Sequence, residues 1–412
     1  MVCLRGDLYY PKASPSNKVL LKSPSTFASI TLLGLVLLAS GCAQREVAAA
    51  PELKPAAAPA FNVYNDSAQW LAGIPGRPDG PFHALEAEPA WQKYSAALAE
   101  KWKTANTKQF GPLDAFQKRE LAGQYSPSKF LFYPLSGPDV LYATRFFPEA
   151  TTMVFAGLEP VGHLRKPDSY KTENLDKELG NWEKGLASIF NRSFFVTSEM
   201  DNHFRGRVAD GLLQMMLLLL ARSGHSIEGV RYGHLEQSGE FAVEPETTPK
   251  PEAVEISYHR GSENVTRKIY YYSGDLAGDF DDKAFPKFVD KQGTPDTLVK
   301  SGSFLLHWKQ CEQLRNFILA KSNLILEDDT GVPYRFFKEP EWKVSLYGEY
   351  SAPDRPFKAQ YQKDLAKAFE DPSKVKELGF SLGYGAWRRP SSLILAKRVG
   401  TQTASNAPPA SQ

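Results

Sequence analysis

"KFLFYPLSGPDVLYATRFFPEATTMVFAGLEP", residues 129–160, sets two apolar runs, FLFY and TTMVFAGL, on either side of a Gly-Pro turn and the helix-patterned DVLYATRFF. A short run that is apolar at every position suits a strand buried on both faces. Two such runs joined through one helix form a unit of parallel sheet. Working outward, strands are expected at SIEGVRYGHL, at NLILED, and in two β-rich runs around the Gly-Ser-Glu-Asn turn at 261–264. Helices are expected at LDKELGNWEKGLASIF, at KQCEQLRNFILAKS and at RVADGLLQMMLLLLARSG, where Leu212 to Ala221 is apolar almost all round and belongs inside the fold. GFSLGY and SSLILAKR, separated by GAWRRP, read as a final hairpin. The expected fold over 128–400 is therefore α/β, a mixed and largely parallel sheet flanked by helices with a terminal antiparallel hairpin. A helical lead-in over 63–127 precedes it, in which Trp91, Tyr94, Leu98 and Trp102 recur at three- and four-residue steps as a core-facing stripe.

The N-terminus speaks to location. Arg5, Lys12, Lys18 and Lys22 precede the apolar run FASITLLGLVLL, Phe27 to Leu38, and then Ala39-Ser40-Gly41-Cys42. A dozen apolar residues fall short of the roughly twenty needed to span a bilayer and have the length of a signal-peptide core. The stretch resembles the lipobox of bacterial lipoproteins, with Ala39 three before the cysteine and the usual leucine one residue earlier, at Leu38. That resemblance implies a signal peptide over 1–41, cleavage before Cys42, and its acylation with chains such as palmitate. Several acyl chains anchor a protein stably where one does not. Residues 42–62, rich in Ala and Pro, read as a semi-rigid tether, and 401–412 as a polar disordered tail. Ala43 implies the outer membrane if the cell is Gram-negative. Residues 1–41 carry four of the 49 basic and one of the 47 acidic residues, leaving 45 against 46. So balanced a chain argues for no nucleic-acid partner, and the membrane is reached through Cys42. Once Cys3 and Cys42 are set aside, Cys311 stands alone, with no internal disulfide and a buried, inert role expected.

The opening unit also resembles the start of the Rossmann-like fold of S-adenosylmethionine-dependent methyltransferases: strand, glycine-bearing loop, helix, strand, acidic residue, with a closing antiparallel pair. The resemblance implies a ligand pocket at Ser136, Gly137, Asp139 and Glu159. Glu159 stands 22 residues beyond Gly137, near the spacing at which a carboxylate meets a ribose hydroxyl. Ser136 to Asp139 would open a helix, where free backbone N–H groups attract an anion. The loop has a single glycine where the dinucleotide fingerprint needs several. Tyr133-Pro134-Leu135 replaces the acidic residue that methyltransferases carry at the end of the first strand. The extracytoplasmic setting does not ordinarily supply such nucleotides. No cofactor is expected.

Other motifs resolve into turns and core. Asp329-Thr330-Gly331 resembles the aspartic-protease triplet, but Glu327 and Asp328 before it suggest a solvated turn of ordinary acidity, and the chain has no second copy. Glu199, Asp201 and His203 could converge on a metal, yet no HExxH or paired ligand motif is present, and no metal is expected. Asp275, Asp279, Asp281 and Asp282 lack EF-hand spacing. The leading expectation is an envelope lipoprotein whose α/β domain binds a ligand or partner. The alternative is an extracytoplasmic enzyme, transferase-like or hydrolytic, with its pocket near the Gly137 loop and Glu159.

Overall fold

Alternation along the first two strands explains the layering. In β1 (Phe130–Tyr133) Leu131 and Tyr133 enter one core cluster, and Phe130 and Phe132 enter another. In β2 (Thr152–Gly157) Met153 and Phe155 join the first cluster, Val154 and Ala156 the second. Successive side chains point to opposite faces, so an unbroken apolar run is what a sheet covered on both sides demands. The computed structural model describes residues 61–195, 208–385 and 390–400, all within one unit, Phe61–Gln412. The expectations for the leader, Cys42, the tether as far as residue 60, Glu199, Asp201, His203 and the tail lie outside the described residues; Asn62, at the tether's end, caps the helix Val63–Leu71.

Nine further strands follow: β3 (His225–Leu235), β4 (Phe241–Val243), β5 (Ala253–Arg260), β6 (Arg267–Ser273), β7 (Asp296–Val299), β8 (Leu324–Glu327), β9 (Trp342–Gly348), β10 (Val375–Lys376) and β11 (Ser392–Arg398). The described strands form one sheet in the order β10-β9-β11-β8-β7-β1-β2-β6-β5-β3-β4. The five central strands, β8-β7-β1-β2-β6, are parallel. Counted along the chain they run fifth, fourth, first, second, third, the doubly wound arrangement, with its switch point between β1 and β7. The fold is thus α/β with a mixed sheet. Antiparallel strands extend both edges of the parallel block, through β5 and β3 on one side and β11 on the other. The β5–β6 connection turns at Gly261, where φ is +56°.

The closing antiparallel pair is built differently from the sequence expectation. Residues 379–384 form no strand; the partner of β11 is β9, in register from Ser392 opposite Gly348 to Arg398 opposite Trp342. Gly379 and Gly383, at φ +79° and +58°, turn the GFSLGY run out of extended geometry.

Helices cover both faces. On one lie α1 (Val63–Leu71), the short α2 (His83–Glu86), α3 (Pro89–Ala105) and α4 (Gly111–Phe116), then α5 (Val140–Phe146), α6 (Thr172–Arg192) and α7 (Leu213–Arg222). Proline at the first position of α3 suits a helix start, and the stripe Trp91, Tyr94, Leu98 and Trp102 is buried in the first cluster. Leu213 to Ala221 of α7 are all buried, against α1, α5 and β3. The other face holds α8 (Ala284–Lys291), α9 (Glu312–Lys321) and α10 (Lys363–Phe369), which insert Phe285, Phe288, Leu314, Phe317 and Leu365 into the second cluster. Among the described residues no helix is long and apolar enough to cross a membrane.

Candidate functional site

In doubly wound sheets, ligands bind outside the carboxyl ends of the strands at the switch point. Here β1 leaves the sheet through Pro134 and turns sharply, with φ +59° at Leu135 and +52° at Gly137. Ser136 is buried and its N–H donates to the Ala156 carbonyl at 2.9 Å, tying the loop to β2. Asp139 then caps α5 with its side chain: Oδ1 accepts from the Tyr142 N–H at 3.3 Å. Oδ2 accepts from the Tyr133 hydroxyl at 2.9 Å and from Lys300 Nζ at 2.9 Å. Lys300, the first residue beyond β7, also donates to the Ser193 carbonyl and lies 4.4 Å from the Tyr142 ring centroid. Both partners are nearly inaccessible, with side chains 3 % and 2 % exposed. Burial pushes the Asp139 carboxyl above its ordinary value, while Lys300 and the Tyr133 hydroxyl hold it down.

The head of α5, where free N–H groups could attract an anion, is therefore served by the chain's own carboxylate, Asp139. Glu159 is disposed otherwise. It is half-buried, and its carboxylate folds back over Gly157. A Cβ on Gly157 would lie 2.8 Å from Glu159 Oε2, 3.0 Å from the Tyr271 hydroxyl and 3.5 Å from the Gly137 nitrogen. A larger residue would push the Glu159 carboxylate aside, and the absent side chain lets Glu159 and the Gly137 loop face one point. Of the four residues singled out from sequence, Gly137 and Glu159 meet around Gly157, whereas Asp139 turns inward to Lys300. Lys300 was missed. Its only sequence signal is a lysine that directly ends the apolar run TLV before Ser301-Gly302-Ser303.

The Asp-Thr-Gly stretch corrects a second expectation. Glu327, Asp328, Asp329 and Thr330 are buried at 0–3 % exposure rather than solvated. The turn closes inside the molecule because backbone donors replace water. Asp328 Oδ2 accepts from the Ser301 N–H at 2.9 Å, and Thr330 Oγ1 accepts from the Gly302 N–H at 2.7 Å. Glu327 Oε2 accepts from Val332 at 2.8 Å. Burial, and then Asp328 and Asp329, push the Glu327 carboxyl well above the usual carboxylate range, against the Val332 N–H that holds it down. These bonds stitch the loops after β7 and β8, as Lys300–Asp139 stitches those after β1 and β7. Six non-glycine residues among those described have positive φ, and Leu135, Ser193, Ser301, Ser303 and Phe304 belong to this region; Lys129 is the sixth. Backbone strain of this kind persists where surrounding structure enforces it, and it concentrates at functional sites.

Two open clefts lie away from this centre. The larger, about 740 Å³, lies beyond the carboxyl end of β9 and is lined by Glu349, Tyr350, Lys358, Tyr361, Phe369 and Glu370, among others. The second, about 530 Å³, is lined by Tyr64, Leu164, Arg165 and Tyr232 among others. Among the described residues no three His, Cys, Asp or Glu side chains cluster to hold a metal, and Cys311 is a buried free thiol. Compared with known proteins, the chain matches no family model, no curated sequence and no solved structure.

Proposed function

We propose that this chain is a membrane-anchored cell-envelope lipoprotein, held through an acylated Cys42, whose α/β domain binds a ligand or partner. One observation carries the binding reading. Asp139 and Lys300 satisfy each other inside the switch point, while a large open cleft lies at the same carboxyl edge, beyond β9. Charges paired within the chain make a rigid floor, and the open side of that edge receives the ligand. The anchor rests on the basic leader, the short apolar core and the Ala-Ser-Gly-Cys sequence. Replacing Cys42→Ala should abolish fatty-acid labelling of the protein and leave the precursor uncleaved; labelling that survives removes the anchor.

The alternative, a transferase-like or hydrolytic enzyme outside the cytoplasm, is supported by the convergence of Glu159 and the Gly137 loop over Gly157. Calorimetry of the purified chain with S-adenosylmethionine, S-adenosylhomocysteine and NAD separates the two. The binding reading expects no heat of association with any of them. A dissociation constant near 1 μM, about −8 kcal/mol, that weakens in Glu159→Gln puts the enzyme first.

A further inference from the structure

The cleft beyond β9 has a definite chemistry. Tyr361, Tyr350 and Phe369 form a row of rings: Tyr361 and Tyr350 have centroids 5.8 Å apart at 23°, and Tyr350 and Phe369 6.1 Å apart at 37°. The end of the row is open, with Tyr361 46 % exposed. The row is held from beneath by Gln362, which is 9 % exposed. The Gln362 N–H donates to the Tyr350 hydroxyl at 2.9 Å, its Nε2 donates to the Asp329 carbonyl at 2.9 Å, and its Oε1 accepts from the Tyr334 N–H at 2.8 Å. The buried Gln362, held by its side-chain amide, positions the Tyr350 ring through its backbone N–H before anything binds, which spares a ligand part of the ordering cost. It also ties the cleft to the buried turn after β8.

Charge and shape then select the ligand class. The charged residues lining the cleft are Glu349 and Glu370 against Lys358, an acidic balance that disfavours phosphates and carboxylates. The apolar lining is aromatic and alanine, with no long aliphatic side chain to receive an acyl tail. Tyr361 stacks on Tyr350 and Phe369 tilts against it, a row ending in the exposed Tyr361 ring rather than walls around a gap for an ammonium group. A flat aromatic face flanked by carboxylate acceptors and an ammonium donor fits a ligand with an apolar face and a rim of hydroxyls. We infer that this cleft binds an uncharged saccharide, one sugar ring lying on Tyr361 with its hydroxyls bonded to Glu349, Glu370 and Lys358. The inference rests on the binding reading proposed above and names its ligand.

The test is saturation-transfer NMR on the full chain in detergent, with β-1,4-linked tetramers of glucose and of N-acetylglucosamine as probes, and choline and adenosine as competitors of other chemistry. These tetramers carry equatorial substituents and so present flat C–H faces. Saturation should pass from the aromatic protons to the ring C–H protons of at least one tetramer. Tyr361→Ala should weaken that binding about tenfold or more, Glu370→Gln should weaken it as well, and Trp308→Ala, an exposed aromatic outside the cleft, should not. Tyr361 and Glu370 are exposed, so neither change threatens the fold, and the unfolding midpoint of each variant checks this. Transfer to neither tetramer, or transfer that persists in Tyr361→Ala, overturns the saccharide. Tyr361-dependent transfer to choline or adenosine in its place also overturns it and leaves the binding reading standing; loss of both would need the cleft to take none of the four probes.

Discussion

Asp296 opens β7 with its side chain buried at 2 % exposure, accepting from the Ser126 N–H and from Asn323 Nδ2, each at 2.8 Å. Burial pushes its carboxyl up to about 7; the two donors and, more weakly, Lys397 oppose the shift. A raised carboxyl is protonated in the folded chain where the unfolded chain has already lost the proton. Its contribution to stability is therefore fullest in acid and is lost as pH rises from the unfolded value, about 3.9, to the folded one. His225 and His307 act in the opposite sense. Burial lowers both to about 4, so they cost stability as pH falls from about 6.5. Comparing Asp296→Asn with the parent cancels the histidines. The variant's unfolding free energy relative to the parent should rise by about 3 to 4 kcal/mol between pH 4 and pH 8. A flat difference across that range in urea titrations would mean that Asp296 titrates normally. The Lys300–Asp139 pair is buried too, and removing one member of a buried pair typically costs about 3 to 5 kcal/mol, because the other charge is left in a dry site.

At the scale of elements, α7 is the clearest case of burial deciding a helix. Leu213 to Ala221 are packed on every side, so the helix has no solvated stripe, and its chain stops at Gly224 with φ +82°. Leu218 is fully inaccessible. Leu218→Ala should cost about 2 to 5 kcal/mol through lost burial and the cavity left behind. A loss under half a kcal/mol in equilibrium unfolding would place the helix at the surface instead. The short strands were harder to read. β7 is only Asp-Thr-Leu-Val and begins on the buried carboxylate discussed above, so its local pattern resembles a turn. β9 carries exposed Lys343 and buried Leu346, and the glycine-rich run 379–384 lies closer in sequence to β11.

Over the whole described unit, the helical lead-in and the sheet share one core. Trp91, Leu98, Phe110 and Phe116 sit in the same cluster as Leu131, Tyr133 and Phe155. Glu120, at the end of the lead-in, accepts from the Tyr347 hydroxyl at 2.7 Å on β9 and pairs with Lys376 of β10 at 2.8 Å. Lys376, Arg119 and Tyr347 together draw its carboxyl down to about 2 against the effect of burial. Lead-in and sheet should therefore unfold as one. In a variant with Trp182, Trp308, Trp342 and Trp387 replaced by Phe, fluorescence reports only Trp70, Trp91 and Trp102 of the lead-in, and it should give the same urea midpoint as far-UV circular dichroism. A separate, earlier fluorescence transition would show that 63–127 is an independent module.

Local pattern was enough for the β1–α5–β2 unit, the turn at Gly261 and the buried α7. Each is encoded in periodicity or turn chemistry within a few residues, where side-chain direction follows from the backbone repeat. Tertiary structure alone decided that Lys300 meets Asp139, that Glu327 to Thr330 lie dry, that β9 rather than residues 379–384 pairs with β11, and that three aromatic rings converge above Gln362. Those outcomes depend on which distant strands become neighbours. A charged residue reads as solvated in sequence until the fold brings it a partner and excludes the water.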